Sequence, residues 1–397
     1  RRLRPSPRYD FFVCHHKLDA SAQSRLLKCM IQARGHEVFI DSDDLQDLDT
    51  LFDTVRCKVK HLIVYLTRDT LSRPWCAGEI VTAHRNRKRT TVVLTDGPSA
   101  FRGYLTAEEM HDLLSYLDGG GQTLKQYLIS EPDLQHAYQW LLGGDVPVVK
   151  LPVEERGRRR FEALVTLLLK EKHASNAPLP PRNDYLLVSS DPEDLEATAA
   201  AAILAMNVEQ ELLGFTKNGA LLCVDLEDVD VSSRVTHARA VVVILSAGSM
   251  ESLHQLTAII CSMRQVHYKT SQKLTVIPVA TPSFQFPGAN FYDTVLPKIW
   301  KGDVDDAKTH IQLFFKTIAV QLSINASAVI LEAQARQILS RVPRQPNAPP
   351  LMQATAHHSA PDVTPTDIAV GTGACNIVSL DDSDSFGCLS DTVSECL

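Results

Sequence analysis

The densest chemistry in this chain sits in one short stretch, Trp75-Cys76-Ala77-Gly78-Glu79, where an aromatic ring, a thiol and a carboxyl follow directly on Pro74. Pro74 suits the first turn of a helix, because it has no N–H to leave unsatisfied there. On that helix Trp75 and Glu79 stand four residues apart on one face, and Cys76, Ile80 and Ala83 line a neighbouring face that can pack on a sheet. A carboxylate so placed, expected at the edge of a cleft, is either a structural detail or a reagent whose pKa and aim are set by its surroundings. Three more polar groups follow apolar runs: Cys14-His15-His16-Lys17, Asp41-Ser42-Asp43-Asp44 and Thr67-Arg68-Asp69.

The elements that must position these groups are short β-rich runs alternating with helical patterns. The strands are Phe11-Phe12-Val13, Val38-Phe39-Ile40, Leu62-Ile63-Val64-Tyr65-Leu66, Thr91-Val92-Val93-Leu94 and Val146-Pro147-Val148-Val149. Such alternation predicts a parallel sheet with helices on both faces, in flavodoxin-like order, with function at the carboxyl ends of the strands. Leu26, Leu27, Met30 and Ile31 recur at helical spacing, and Gly35 closes that helix.

The pattern then repeats. Ala174-Ser175-Asn176-Ala177-Pro178-Leu179-Pro180-Pro181 reads as a linker, and beyond it Tyr185–Ser190 matches Asp10–His15, Leu221–Asp225 matches Glu37–Asp41, and Ala240–Ser246 matches His61–Thr67. The expected architecture is α/β: two flavodoxin-like domains, each a five-stranded parallel sheet flanked by helices, at residues 8–173 and 183–338. Residues 1–7 read as disordered, 174–182 as the linker, and the Pro-, Ser- and Asp-rich 339–397 as a disordered tail.

Composition narrows the function. A net charge of −7 over 397 residues argues against nucleic acid as the main partner, and no apolar run approaches the ~18 residues of a membrane span. The nine cysteines are scattered and form no C-x-x-C pair, which favours a reducing, cytoplasmic setting over disulfides and predicts no metal site. The basic runs His84–Arg89 and Arg156–Arg160 read as solvated faces. The chain starts at Arg1 without Met and reads as a fragment or a processed form.

Tyr9-Asp10-Phe11-Phe12-Val13-Cys14-His15, Val38-Phe39-Ile40-Asp41 and Trp75-Cys76-x-x-Glu79-Ile80, in that order, resemble the three signatures of the Toll/interleukin-1 receptor (TIR) domain family. The wording around them is similar to TIR proteins of unicellular algae and other protists. The resemblance covers about residues 8–173, and the second copy is degenerate: Trp75 falls opposite His254 and Glu79 opposite Ala258. It implies intracellular signalling by assembly with other TIR domains, homotypic or heterotypic, through the loop after Asp41. It also implies hydrolysis of the nicotinamide–ribose bond of NAD, with Glu79 as the catalytic acid. NAD then enters as substrate, and Cys14, His15, His16, Asp41 and Trp75 are its candidate contacts.

Each residue also has a plainer reading. The histidines can be polar loop residues, Asp41 can cap a turn, Trp75 can anchor packing, and Cys76 can be a small buried group. The loop from Asp41 to Asp49 has five aspartates and no glycine or proline, so it repels a pyrophosphate unless it points away or meets a basic partner surface. The alternatives to an NAD hydrolase are a non-catalytic TIR adaptor and, with a weaker fit, a phosphoacceptor receiver, since Leu66-Thr67-Arg68 lacks the receiver's strand-three aspartate. A second copy lying over Glu79 would be an inhibitor.

Overall fold

The computed structural model describes residues 8–45, 47–155, 157–171, 185–213, 234–236, 238–268 and 274–342. The expected strand Leu221–Asp225, the linker and most of the tail lie outside them, as do residues 1–7. Among the described residues no helix is long and apolar enough to cross a membrane.

Two parallel sheets form the α/β architecture. The first has strands β1 (Tyr9–His15), β2 (Val38–Phe39), β3 (Val59–Leu66), β4 (Arg89–Leu94) and β5 (Val148–Lys150), in the order β2-β1-β3-β4-β5. The second has β6 (Tyr185–Ser189), β7 (Ala238–Leu245), β8 (Thr275–Ala280) and β9 (Val320–Gln321), in the order β6-β7-β8-β9. These four correspond to β1, β3, β4 and β5, so the described part of the second sheet repeats the first without its β2 edge.

Alternation along each strand decides which helix it meets. In the first sheet Phe11, Val13, Ile63 and Tyr65 face helices Lys17–Gln32 and Gly157–Leu169. Phe12, Cys14, Leu62 and Val64 face the other way, toward helices Pro74–Arg85 and Glu131–Leu142.

A detail of the turns strengthens the internal duplication. After β3 the Thr67 N–H donates to Thr70 Oγ1 at 2.9 Å, and that hydroxyl donates back to the Tyr65 carbonyl at 3.2 Å. After β7 the Ser246 N–H donates to Ser249 Oγ at 2.7 Å, and that hydroxyl donates back to the Ile244 carbonyl at 3.4 Å. Each of these residues lies 179 positions after its counterpart, the offset that aligns Glu79 with Ala258.

The two halves share one core within a single compact unit, residues 1–350. Helix Leu195–Leu213 presents Ala199, Ala200, Ala201 and Ala202 to the core that holds Ala20, Ala22 and Leu26 of helix Lys17–Gln32; small residues let two helices approach closely. Helix Lys17–Gln32 is kinked at Ala20 (φ −149°, ψ 34°), which exposes the N–H groups of a new helical start. Glu196 caps it from the second half, accepting from Ala22 N at 2.5 Å, Gln23 N at 3.2 Å and Gln23 Nε2 at 3.2 Å. The last described helix, Ala328–Ser340, keeps Ile338 in this core and so runs two residues past the boundary expected at 338.

Candidate functional site

The carboxyl edge of the first sheet brings the chemical groups together. β1 ends at His15, the turn Asp41–Asp44 follows β2, and helix Pro74–Arg85 follows β3 with Arg73 as its N-cap and Pro74 in its first turn. Cys14 Sγ, Cys76 Sγ and a Glu79 carboxylate oxygen lie within 4.8 Å of one another. The Cys76 thiol donates to the His15 carbonyl at 3.3 Å. Asp41, Arg73 and Lys17 all act electrostatically on both Glu79 and His15.

Glu79 is only 4% exposed, so the expected cleft edge is closed in this conformation. Burial, aided by repulsion from Asp41, pushes its carboxyl pKa up to about 8; Cys14, Arg73 and Lys17 oppose the shift without overcoming it. Burial likewise holds the His15 ring below its ordinary pKa, with the nearby Asp41 charge pulling the other way. His15 Nδ1 lies 3.3 Å from the Val13 carbonyl, and His16 Nδ1 lies 3.2 Å from Asp19 Oδ2 at an angle unsuited to a hydrogen bond.

Polar atoms without a hydrogen bond concentrate here. Among the described residues nine buried side-chain nitrogens and oxygens lack a hydrogen bond, and His15 Nε2, His16 Nδ1, Asp41 Oδ1 and Glu79 Oε2 are four of them, all at this sheet edge. Buried polar groups in folded proteins are nearly always satisfied, so such a cluster marks a place arranged for something other than stability.

The second half resolves the same place differently. Opposite Cys14, Cys76 and Glu79 stand Ser189, Gln255 and Ala258. Ser189 Oγ donates to Gln255 Oε1 at 2.5 Å, and Gln255 Nε2 donates to the Ile244 carbonyl at 2.7 Å. Among the described residues the second half has a hydrogen-bonded pair where the first has two thiols and an acid with one oxygen unpartnered.

Trp75 points into packing. Its ring lies 5.8 Å from Phe52 and 5.9 Å from Tyr127, and Phe52 meets Tyr127 edge-on at 4.8 Å. Gly78 makes this cluster possible: a Cβ there would sit 2.1 Å from Phe52 Cζ, and the ring cannot swing clear between Trp75 and Tyr127. Gly78→Ala is therefore expected to cost about 1–3 kcal/mol, read as a shift of the denaturant midpoint at unchanged slope.

The acidic loop is largely neutralised by its own chain, which sequence reasoning missed. Lys17 Nζ pairs with Asp41 at 3.1 Å, Arg25 with Asp43 at 2.6 Å, and Lys28 with Asp43 at 3.2 Å and Asp44 at 2.7 Å. The three cations are on helix Lys17–Gln32, where Lys17, Arg25 and Lys28 show the only warning: basic residues on a helix otherwise facing the core.

Among the described residues the second half packs on helix Lys17–Gln32, on the face of the sheet opposite the Glu79 helix, and none of its residues joins the cluster around that helix. It reaches the loop from behind, because Arg25 Nη1 also donates to the Ile324 carbonyl. Arg25→Ala is expected to speed amide exchange at residues 41–45 by about tenfold or more, equivalent to ~1.4 kcal/mol of easier local opening.

A cavity of about 750 Å³ opens elsewhere, at the amino ends of β4 and β5, lined by His84, Arg87, Arg89, Trp140 and Lys170 among others. The cations there follow helix carboxyl ends, which they complement electrostatically. It shares no lining residue with the Glu79 cluster.

No protein-family model matches the chain, and no curated protein does. Among solved structures it is similar to the catalytic subunit of cobaltochelatase from Mycobacterium tuberculosis, at 15% identity and a TM-score of 0.23, over 61% of this chain and 19% of that one. A likeness at that TM-score carries no argument about what this chain does.

Proposed function

We propose that the chain is a cytosolic signalling protein of TIR type, which assembles through its first half and there cleaves the nicotinamide–ribose bond of NAD with Glu79. The observation that carries this reading is the buried Glu79 carboxyl, with Oε2 unpartnered, at a sheet edge where the corresponding Ser189 and Gln255 of the second half hydrogen-bond each other. The order of the three TIR-like signatures supports it, as does the β2-β1-β3-β4-β5 sheet that places all three at one edge.

Cleavage of this bond develops positive charge on the ribose, as in glycoside hydrolysis, and a carboxylate beside the sugar stabilises that charge. Nicotinamide is cationic in NAD and leaves neutral, so no general acid is required. Glu79 alone can therefore supply the essential group.

The described conformation is the resting one. Burial keeps Glu79 neutral and covered, so turnover requires the Asp41–Asp44 turn to move aside, releasing its hold on Lys17, Arg25 and Lys28. Assembly through this loop, which carries the exposed Leu48, would supply that movement. Cys14, His15, His16 and Asp41 then border the opened site, while Trp75 anchors the helix that carries Glu79.

The test is to incubate the intact chain with NAD and follow nicotinamide. Release that depends on protein concentration and vanishes in Glu79→Gln supports catalysis. Absence of release at concentrations where light scattering shows assembly leaves the non-catalytic adaptor.

A further inference from the structure

We propose that Cys14, Cys76 and Glu79 form a binding site for one thiophilic divalent cation of the zinc class, and that the bound ion holds the site silent by occupying Glu79. The binding claim stands on the cluster's geometry; the silencing claim rests on the reading of Glu79 as the catalytic acid.

The three donor atoms already converge, all within 4.8 Å of one another. Zinc bonds of ~2.3 Å to sulfur and ~2.0–2.2 Å to oxygen, set tetrahedrally, need donor separations of about 3.5–3.8 Å. Entry of the ion therefore draws the three donors together by that difference. Two thiols and a carboxyl make a ligand set that prefers zinc to magnesium or calcium, which take oxygen donors. Three protein ligands leave a fourth position for water.

The unpartnered Glu79 Oε2 is the second, independent observation. It belongs to a residue only 4% exposed, whose carboxyl lies beside two thiols of which one is held by the His15 carbonyl. In the second half the corresponding Ser189 and Gln255 satisfy each other, and Ala258 offers nothing to a metal. Among the described residues, soft ligands together with an unsatisfied acid therefore occur in the first half only.

Charge balances when the ion enters. A divalent cation displaces up to three protons, two from thiols and one from the carboxyl, and leaves a complex of net charge −1 that Arg73 offsets from nearby, Lys17 and Asp41 cancelling each other. The sequence spacing hides this site, since Cys14 and Cys76 are 62 residues apart; the expectation of no metal rested on the missing C-x-x-C pair.

The intact chain, reduced and freed of metal, is titrated with Co²⁺ as a spectroscopic probe and with Zn²⁺ in competition. The expected result is one tight equivalent with tetrahedral d–d bands and a thiolate-to-cobalt charge-transfer band. Cys14→Ser, Cys76→Ser and Cys76→Ala should each weaken it by at least the ~10–100-fold seen when even an outer-shell partner is lost. Cys57→Ser and Cys261→Ser should leave it unchanged. The alanine variant guards against misfolding, checked by circular dichroism. No tetrahedral equivalent, or one that survives the double Cys14→Ser/Cys76→Ser change, overturns the site. The silencing claim is read separately: Zn²⁺ should suppress nicotinamide release and a chelator restore it, and release unaffected by a stoichiometric ion overturns that claim. If no release is seen under any condition, the cobalt spectrum still decides the binding claim.

Discussion

Replacing Glu79 by glutamine is expected to lower nicotinamide release by about two to three orders of magnitude, the usual loss when a group aimed at transition-state charge is removed. The same change should leave the fold as stable as before, or more stable by up to ~1–2 kcal/mol. The two outcomes belong together. Glu79 is buried with one oxygen unpartnered, so in the closed state it costs stability, and a neutral amide of the same shape loses nothing that the fold uses. A structural acid would behave oppositely, with activity absent and stability falling. Parallel denaturant curves and release assays on the two proteins separate these cases.

Replacing Glu196 by alanine is expected to lower the unfolding free energy by about 2–4 kcal/mol, and to do so in a single transition that includes both sheets. Its carboxyl caps the kinked start of helix Lys17–Gln32 from across the shared core. Loss of a cap costs roughly 1 kcal/mol, and leaving buried N–H groups without an acceptor adds about 1–3 kcal/mol. The pH dependence has a defined sign. Burial raises the Glu196 pKa from 4.5 to about 7, against the pull of the Ala22 and Gln23 hydrogen bonds. An acid whose folded pKa is raised contributes stability that is complete below the unfolded pKa and is lost as pH rises through the folded one. Stability should therefore fall between about pH 4.5 and pH 7, and Glu196→Gln should remove the Glu196 share of that fall, on the order of 3 kcal/mol. Thermal melts across this range, compared between the two proteins, measure it.

Much of the first sheet could be read from the chain, because each strand is a short apolar run beside residues that end it. Pro74 marked the start of its helix, and the matching order of pieces after residue 183 marked a repeat. Long-range contacts were not legible in this way. Nothing local says that Arg25 will hold Asp43 from 18 residues away and the Ile324 carbonyl from 299. The alanines at 199–202 read as ordinary helix formers, yet they belong to the core that joins the halves. This core bears on experiment: a fragment ending in the linker would expose Leu26, Ala22 and Phe161, so the intact chain is the right reagent.

The candidate site divides along the same line. Residue types at strand ends announced Cys14, His15, His16, Asp41 and Glu79 as a group, since a parallel sheet gathers such ends at one edge. Burial of Glu79 and the approach of Cys14 to Cys76 depend on how the helix is seated. That seating depends in turn on Phe52 lying against Gly78, a contact between residues 26 apart.

The most direct test of the central claim is proton NMR of NAD incubated with the intact chain across concentrations that span assembly. Free nicotinamide should appear at a rate per protein that rises with assembly, and it should be absent with Glu79→Gln. Equal release by the variant, or none from the wild-type chain once assembled, would contradict the assignment of Glu79 as the catalytic acid.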